Sequence, residues 1–596
     1  MTLLRSTLLF AVLSFCIAAI STSVEATSKV TTMTNQAQGQ TPDLHVVPDP
    51  QAYFEQKQSA ISLVRAQQWE KALPLIQSLT QQYKDDGETW YLLGLSYFNL
   101  QQWQQALAPL KQALNLGYRI EKIPTGESNP NDLMLKISKT YAQLEDENNA
   151  LAWLEKALAA RWDDKPKLAG RSLFSSGIST DFKNIQDSGA FKKLAGASVP
   201  EGLTRAQKWQ LDLNYLVSEI KRLHVDTYHH VSEAKFTEKV HSIRSAINGL
   251  DDQQIVFEFM SLLSMLGNGH NFIIPAWGQY GSFTQLPMQF YWFSDGLYIV
   301  DAQEPYAHLI GYEVTRFGET PAEKALDLVG AINARDNDMQ QLWLAPYYLG
   351  LPQVLSGLDI VEDAANVTLT VRLSGDKERT VTPMAHPMAF AGFPKLPALK
   401  SASYQRGLSR NSEPYWYEHI ADKQLLYAQF NTVRDDPKLS FAEFNDELRQ
   451  LIMQQSIDNL VIDLRHNSGG DGSITPPMVA TAALFEALRP DGKLFILMGR
   501  NTFSAGHDLL VDLTRFTQPI LVGEPSGTRP NAIGEAGWFN LPYSQQTGVI
   551  SSQFHQNSSA EDHRIWLAPD VPVSLSSTAY FSGQDSALDA VMSLIE

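Results

Sequence analysis

The chain has 596 residues, of which 44% are hydrophobic and 19% charged, and a formal net charge of -18 at pH 7. That length exceeds what a single hydrophobic core serves, so two to four domains are expected. A negative balance without clustered Lys and Arg argues against nucleic acid or an anionic membrane surface as the main partner.

The first residues combine one positive charge, Arg5, an apolar stretch from Leu8 to Ile20, and small residues around Val24 and Ala26. This pattern predicts a secretory signal peptide over 1–26, and with it a secreted, periplasmic destination. The alternative, an uncleaved anchor, is disfavoured because spanning a bilayer takes about 20 apolar residues, so no transmembrane segment is expected in the mature chain. The one cysteine, Cys16, lies in this stretch behind Phe15, which is large where a lipid-attachment signal has a small residue. Cleavage near Ala26 leaves no cysteine, which excludes disulfides, a cysteine nucleophile and thiolate metal sites. Residues 27–49 are rich in Thr, Gln and Ser and predict a flexible linker.

Helical repeats are predicted over 50–165. In "WYLLGLSYFNLQQWQQALAPLKQAL", Trp90, Leu93, Gly94, Tyr97, Ala106 and Ala113 match the tetratricopeptide pattern, whose small residues mark where two helices cross. Ala72 precedes Ala106 by 34 residues, the repeat period, and Tyr141, Ala150 and Ala157 repeat the phrase after an insertion of about ten residues near "IPTGESNPND". Three such units suffice for a stacked core, and the array is expected to recruit a protein partner.

Over 200–280 the pattern changes to longer amphipathic helices, "LDLNYLVSEIKRLH" and "DQQIVFEFMSLLSMLG", the second ending in "GNGHNF". Residues 281–395 contain alternating apolar and polar segments closed by turn residues, such as "LIGYEVTRFG", which predict a β-rich module. It lacks the loop that would mark it as PDZ-like. From 405 to 596 the order is strand "LVIDLR", helix "ITPPMVATAALFEAL", strand "KLFILMG", helix "SAGHDLLVDLTRF" and strand "PILVGE". Such alternation predicts a parallel or mixed sheet with crossover helices.

Ser504 stands at one of these strand-to-helix junctions. A serine there is most often an N-cap, its hydroxyl accepting from a backbone N–H of the first turn. The same place suits a nucleophile, held at the sheet edge before a helix N-terminus that favours developing negative charge. The neighbouring loop "DLRHNSGGDG" carries Gly469 and Gly470, whose missing Cβ atoms let backbone N–H groups approach a ligand. Both loops lie at the carboxyl ends of strands, where parallel sheets bind ligands. A serine beside glycine amides is the arrangement acyl transfer requires.

Five phrases in one order, "LGNGHNF", "LVIDLRHNSGG", "GRNTFSAGHDL", "LVGEPSGTRP", and "WLAPDVPV" with "YFSGQDSALDAV", make residues 205–596 resemble the tail-specific protease (S41) family of serine peptidases. That family includes C-terminal processing proteases, the tricorn protease and the modules of interphotoreceptor retinol-binding protein. The resemblance implies a crotonase-like α/β catalytic fold, so that with the repeats the chain is expected to be multidomain, an all-α tetratricopeptide array followed by an α/β crotonase-like peptidase domain with a helical N-terminal part and a β-rich middle module. It also implies Ser504 as nucleophile and Gly469, Gly470 and Ala505 as the oxyanion and substrate-binding backbone. C-terminal processing proteases place a lysine base shortly after "VGE", whereas this chain has Arg529 there and no lysine after Lys493. Arginine stays protonated and cannot serve as the base. The tricorn-like pattern implies instead His270 as base and Asp562 as the carboxylate orienting the imidazole or a bridging water.

Each residue has a plainer reading. His270 after Gly-Asn-Gly also suits a turn or cap, Asp562 a solvated loop, and Glu524 a structural role; His563 is a rival base. His507, one turn past Ser504, is expected on the helix surface. An α/β-hydrolase fits poorly, because "TFSAG" lacks the first glycine of the nucleophile elbow. His229 and His230 are adjacent rather than four apart and no HExxH phrase occurs, so neither metal nor other cofactor is expected. A secreted serine peptidase acting on peptides or proteins is therefore the expected function. A catalytically silent peptide-binding scaffold of the same fold stays open beside it.

Overall fold

A computed structural model describes residues 47, 49–117, 130–172, 179–196, 198–373, 377–390, 392–398 and 406–595. The expected signal peptide and nearly all of the 27–49 linker lie outside the described residues, as does most of the insertion after Gly117.

The N-terminal part is six helices in three hairpins, Pro50–Arg65 with Trp69–Gln82, Gly87–Asn99 with Trp103–Asn115, and Pro130–Gln143 with Glu147–Ala159. Ala72, Ala106, Ala113, Ala150 and Ala157 are wholly buried where helices meet. A Cβ on Gly94 would lie 2.6 Å from the Leu110 side chain, so only glycine allows that crossing. Each hairpin turns on one residue of positive φ: Gln67 (55°), Gln101 (57°) and Glu145 (60°). From 67 to 101 is 34 residues and from 101 to 145 is 44, so the turn geometry recurs with the sequence period and skips the inserted ten.

The core of the last hairpin does not stop at residue 165. Leu154, Ala157 and Trp162 pack with Leu168, Phe182, Ile185, Phe191 and Ala195. The Lys165 ammonium lies 2.7 Å from Glu219 on the long helix Arg205–Leu223, and Arg222 pairs with the same buried carboxylate at 2.7 Å. Arg222 also donates to the Trp162 carbonyl (2.7 Å), and Trp538 N–H donates to the Asp163 carbonyl (2.9 Å). The boundary expected at 165 therefore falls inside a packed junction.

The helices Arg205–Leu223, Glu233–Ala246 and Asp252–Ser264 share one core with the middle module, through residues such as Trp209, Phe259, Phe290 and Phe317. The module's antiparallel sheet contains Met288–Phe293, Gly296–Ala302, Glu313–Phe317, Leu369–Arg372 and Arg379–Val381. It also holds helices Ala322–Val329, Asp338–Tyr348 and Pro352–Gly357, so it is mixed α/β rather than simply β-rich.

The C-terminal part is built on a six-stranded sheet in the order Tyr415–Ile420, Leu425–Phe430, Asn459–Asp463, Lys493–Met498, Ile520–Gly523, Val571–Pro572. The first pair is antiparallel and the rest parallel. Alternate residues face two cores: Leu426, Leu460, Ile462 and Ile496 on one side, Tyr427, Val461, Phe495 and Val522 on the other. Burial on both faces explains why these strands read as continuous apolar runs. A separate three-stranded sheet joins the hairpin Asn531–Asn540/Thr547–Gln556 to Phe272–Ile274, with Phe272 opposite Val549 and Ile274 opposite Thr547. This short pairing carries the segment before residue 272 over to the C-terminal part.

Candidate active site

Ser504 sits between the Lys493–Met498 strand and the helix Ala505–Phe516 with φ 52° and ψ -135°, a conformation costly for any residue with a Cβ. Its hydroxyl makes no capping bond to that helix. The turn is held from both sides: Phe503 N–H donates to the Asn467 carbonyl (3.0 Å), Gly499 N–H to Thr502 Oγ1 (3.1 Å), and Thr502 Oγ1 to the Leu464 carbonyl (2.9 Å). A Cβ on Gly506 would fall 2.5 Å from Asn467 Oδ1. The glycine after Ser504–Ala505 thus brings the helix start against the Asn467 loop.

His270 Nε2 lies 3.1 Å from Ser504 Oγ, across 234 residues of sequence. The phrase around His270 has a mechanical account. Gly267, at φ 68°, leaves room for the His230 ring, which a Cβ would meet at 2.2 Å, and Gly269 leaves room for Gln340, met at 2.3 Å. Asn268 and Asn271 are buried and tie the loop to the hairpin: Asn268 Nδ2 donates to the Ile533 carbonyl (3.0 Å) and to Ser551 Oγ, while Ser551 N–H donates to Asn271 Oδ1 (2.9 Å). His224 accepts at Nδ1 from Asp226 N–H (3.2 Å), so its Nε2–H donates to Asn268 Oδ1 (2.9 Å). The Phe503 ring stacks on the imidazole at 4.4 Å and 21°. Behind it, a Cβ on Gly534 would stand 3.5 Å from His270 Nδ1.

Burial lowers the His270 pKa to about 3, with a smaller push from the nearby His555. The imidazole is therefore neutral at ordinary pH and able to accept a proton. Its Nδ1 is buried without a hydrogen-bond partner among the described residues.

Gly469, at φ 100°, packs directly on Ser504: a Cβ there would lie 2.6 Å from Ser504 Cβ and 3.1 Å from Oγ. Gly470, at φ 143°, passes the Val433 carbonyl, which a Cβ would meet at 2.1 Å. The two glycines differ as donors. Gly469 N–H is taken by Asn467 Oδ1 at 3.0 Å, whereas the N–H groups of Gly470 and Ala505 have no acceptor among the described residues.

The structure does not bring Asp562 to the imidazole. Its carboxylate is held in a fork by Arg564 (2.9 and 2.7 Å), two residues on, and that bond keeps it well below the usual carboxylate range. His563 makes no contact with Ser504 or His270 among the described residues. His507 is not on the helix surface: it is wholly buried, its Nε2 is 3.1 Å from Ser526 Oγ, and burial lowers its pKa to about 3. Ser526 in turn donates to the Thr528 carbonyl and accepts from Leu567 N–H, so this pair clamps the "VGEPSGTRP" loop. Glu524 pairs with the buried Arg500 at 2.6 Å. Arg529, where a lysine base would stand, donates from Nε to the Asp336 carbonyl at 3.0 Å. No group of three or more metal-ligating side chains occurs among the described residues. Sequence reading missed Asn467, Asn268, Asn271 and Gln340; the first three stand inside the motif phrases, while Gln340 lies on a helix that was not expected.

No family model matches the chain, and no curated protein matches it. Among solved structures it is similar to mature CPAF complexed with lactacystin, at 13% identity and a TM-score of 0.48 over 65% of this chain and 98% of that one. It is also similar to the photosystem II D1 C-terminal processing protease (14%, TM-score 0.32, 66% of this chain and 98% of that one). A third is a putative S41 protease from Bacteroides fragilis NCTC 9343 (13%, TM-score 0.24, 53% of this chain and 86% of that one). The second and third are proteases by name.

Proposed function

We propose that the chain is a serine peptidase of the tail-specific protease family, with Ser504 as nucleophile and His270 as general base on a crotonase-like α/β domain. The observation that carries this reading is the Nε2 to Oγ approach of 3.1 Å to a serine that caps nothing and is held at positive φ. The neutral imidazole takes the Ser504 proton as Oγ attacks a peptide carbonyl, then returns it to the leaving amine. The free N–H groups of Ala505 and Gly470 are suited to meet the oxyanion, and Gly469 shapes the wall beside it. Asp562 fills the orienting role only by leaving Arg564. The N-terminal hairpins are read as tetratricopeptide repeats that recruit a protein substrate or partner, and the chain as secreted, in the periplasm. Labelling of the full chain by a fluorophosphonate, abolished in Ser504→Ala, tests the assignment; equal labelling of both removes it.

The unpartnered His270 Nδ1 favours a second reading, a peptide-binding scaffold without turnover, because nothing fixes the tautomer that leaves Nε2 free to accept. Peptide binding without fluorophosphonate labelling is its signature.

A further inference from the structure

The hairpin that receives the His270 loop is also held from its other end. Its strand Asn531–Asn540 lies at the edge of the three-stranded sheet. At Ile533 and Gly534 this strand meets the histidine loop: Asn268 Nδ2 donates to the Ile533 carbonyl (3.0 Å), and a Cβ on Gly534 would stand 3.5 Å from His270 Nδ1. Further along, Trp538 N–H donates to the Asp163 carbonyl (2.9 Å), and Arg171 donates to Asn540 Oδ1 (3.3 Å). Asp163 follows the buried Trp162, which packs with Leu154 and Ala157 of the last repeat hairpin. One strand thus carries the proposed general base at one end and the cap of the repeat array at the other.

Between these two contacts the strand is strained. Glu535 stands at φ 65°, in the left-handed region that a residue with a Cβ enters at a cost. The pairing with Thr547–Gln556 also breaks there, passing from Gly534 opposite Gln553 straight to Ala536 opposite Ser551. The Glu535 carboxylate, 45% exposed, lies 4.0 Å from His555, too far for a hydrogen bond that would hold the backbone. Strain of this kind persists only where the surroundings over-determine it. Here the surroundings are the two anchorages, Ile533 and Gly534 on the histidine loop, Trp538 and Asn540 on the repeat cap. Relaxing Glu535 would let one move against the other.

We infer that the cap of the last repeat hairpin positions the general base: the Asp163 carbonyl and Arg171 fix the second half of the strand, and the Glu535 backbone carries that placement to Gly534, against the His270 imidazole. Asp163, Trp538 and Glu535 are then positioning residues, acting on His270 through the strand. The inference rests on the peptidase reading for its consequence in rate, but not for its geometry.

Two pairs of full-chain variants test it. Trp538→Ala keeps the backbone N–H and Trp538→Pro removes it; because that N–H leaves the hairpin for Asp163, proline on this edge strand removes no rung of the ladder. Glu535→Ala keeps a Cβ at positive φ and Glu535→Gly does not, so the glycine variant should melt higher. Hydrogen exchange over 267–272 is expected to be about tenfold faster in the proline variant than in the alanine variant, the effect of one hydrogen bond, with 459–463 and 493–498 unchanged. The Glu535→Gly chain, despite its higher melting transition, should exchange faster over 267–272 than Glu535→Ala. It should also react with a fluorophosphonate at least about threefold more slowly, with the same KM for short peptides. A role in stability alone would move melting and rate together. Equal exchange over 267–272 within either pair, or labelling as fast in Glu535→Gly as in Glu535→Ala, overturns the inference, and the Glu535 pair decides if the proline variant does not fold. A wild-type chain that the fluorophosphonate does not label removes the peptidase reading instead, and exchange alone then decides the positioning.

Discussion

The backbone at Ser504 allows a quantitative test that needs no substrate. At φ 52° and ψ -135° a residue with a Cβ is strained, and such strain costs about 1–3 kcal/mol. Ser504→Ala keeps the Cβ and removes the hydroxyl; Ser504→Gly removes both. The two variants therefore lose the same 3.1 Å contact with His270, and their difference isolates the backbone term. Glycine also gains freedom in the unfolded chain, which offsets about 0.4–1 kcal/mol of that relief. Ser504→Gly is then expected to be more stable than Ser504→Ala by about 0.5–2 kcal/mol. In a domain of this size that corresponds to a melting transition about 1–8 °C higher by scanning calorimetry. Ordinary helix positions order these residues the other way, alanine above glycine by about 1 kcal/mol. An alanine variant as stable as the glycine variant, or more so, refutes the strained elbow and with it the structural argument for a nucleophile.

Gly469→Ala places a Cβ 2.6 Å from Ser504 Cβ at φ 100°, so turnover of short peptides should fall about 100-fold or more, measured as kcat on folded protein. Because the His270 pKa is lowered to about 3, kcat/KM should stay flat from pH 7 down to about 5, where a base with an ordinary imidazole pKa near 6.5 loses most of its activity. The same depressed values at His270 and His507 mean the unfolded chain binds more protons between about 3 and 6.5. Stability is therefore full above the unfolded value and declines as pH falls through that window, which melting temperatures at pH 7 and pH 4.5 will show. Asp562→Asn should change turnover less than about threefold, since its carboxylate is spent on Arg564; a loss of about 100-fold would place it on the imidazole instead. Deleting 50–117 should leave a soluble chain that cleaves short peptides. Deleting 50–165 leaves Glu219 only Arg222 and strips Leu154, Ala157 and Trp162 from the core around Phe182 and Phe191, which should read as insolubility or a much lower unfolding midpoint.

How much of this was legible beforehand follows from how local each cause is. The strand and helix alternation from 459 to 523 was readable because each strand is buried on both faces and each helix is amphipathic, patterns confined to one segment. The glycines were readable as close approaches, and Gly94, Gly469 and Gly470 are all such points. Ser504 and His270 were paired on phrase resemblance, since nothing in either neighbourhood reveals a contact made over 234 residues. Asp562 is held by Arg564 for a local reason, since that residue stands two positions on and a short loop closes the pair more easily than a long one reaches the imidazole. His507 looked exposed because one turn past a helix start is usually wet. The "VGEPSGTRP" loop folds over it, and that fold could not be read from the helix alone.

The Asn268–Asn271 anchorage to Ile533 and Ser551 has a consequence in time. A nascent chain made from its N-terminus presents His270 early and Ser504 much later, yet the imidazole has no fixed place until the hairpin through Gln556 exists to receive it. Until the hairpin is made, then, the chain holds first His270 alone and then, from residue 504 to residue 556, both proposed catalytic residues with no means of aligning them. On the proposed reading, proteolytic competence would appear in one step near the end, after most of the chain has been made.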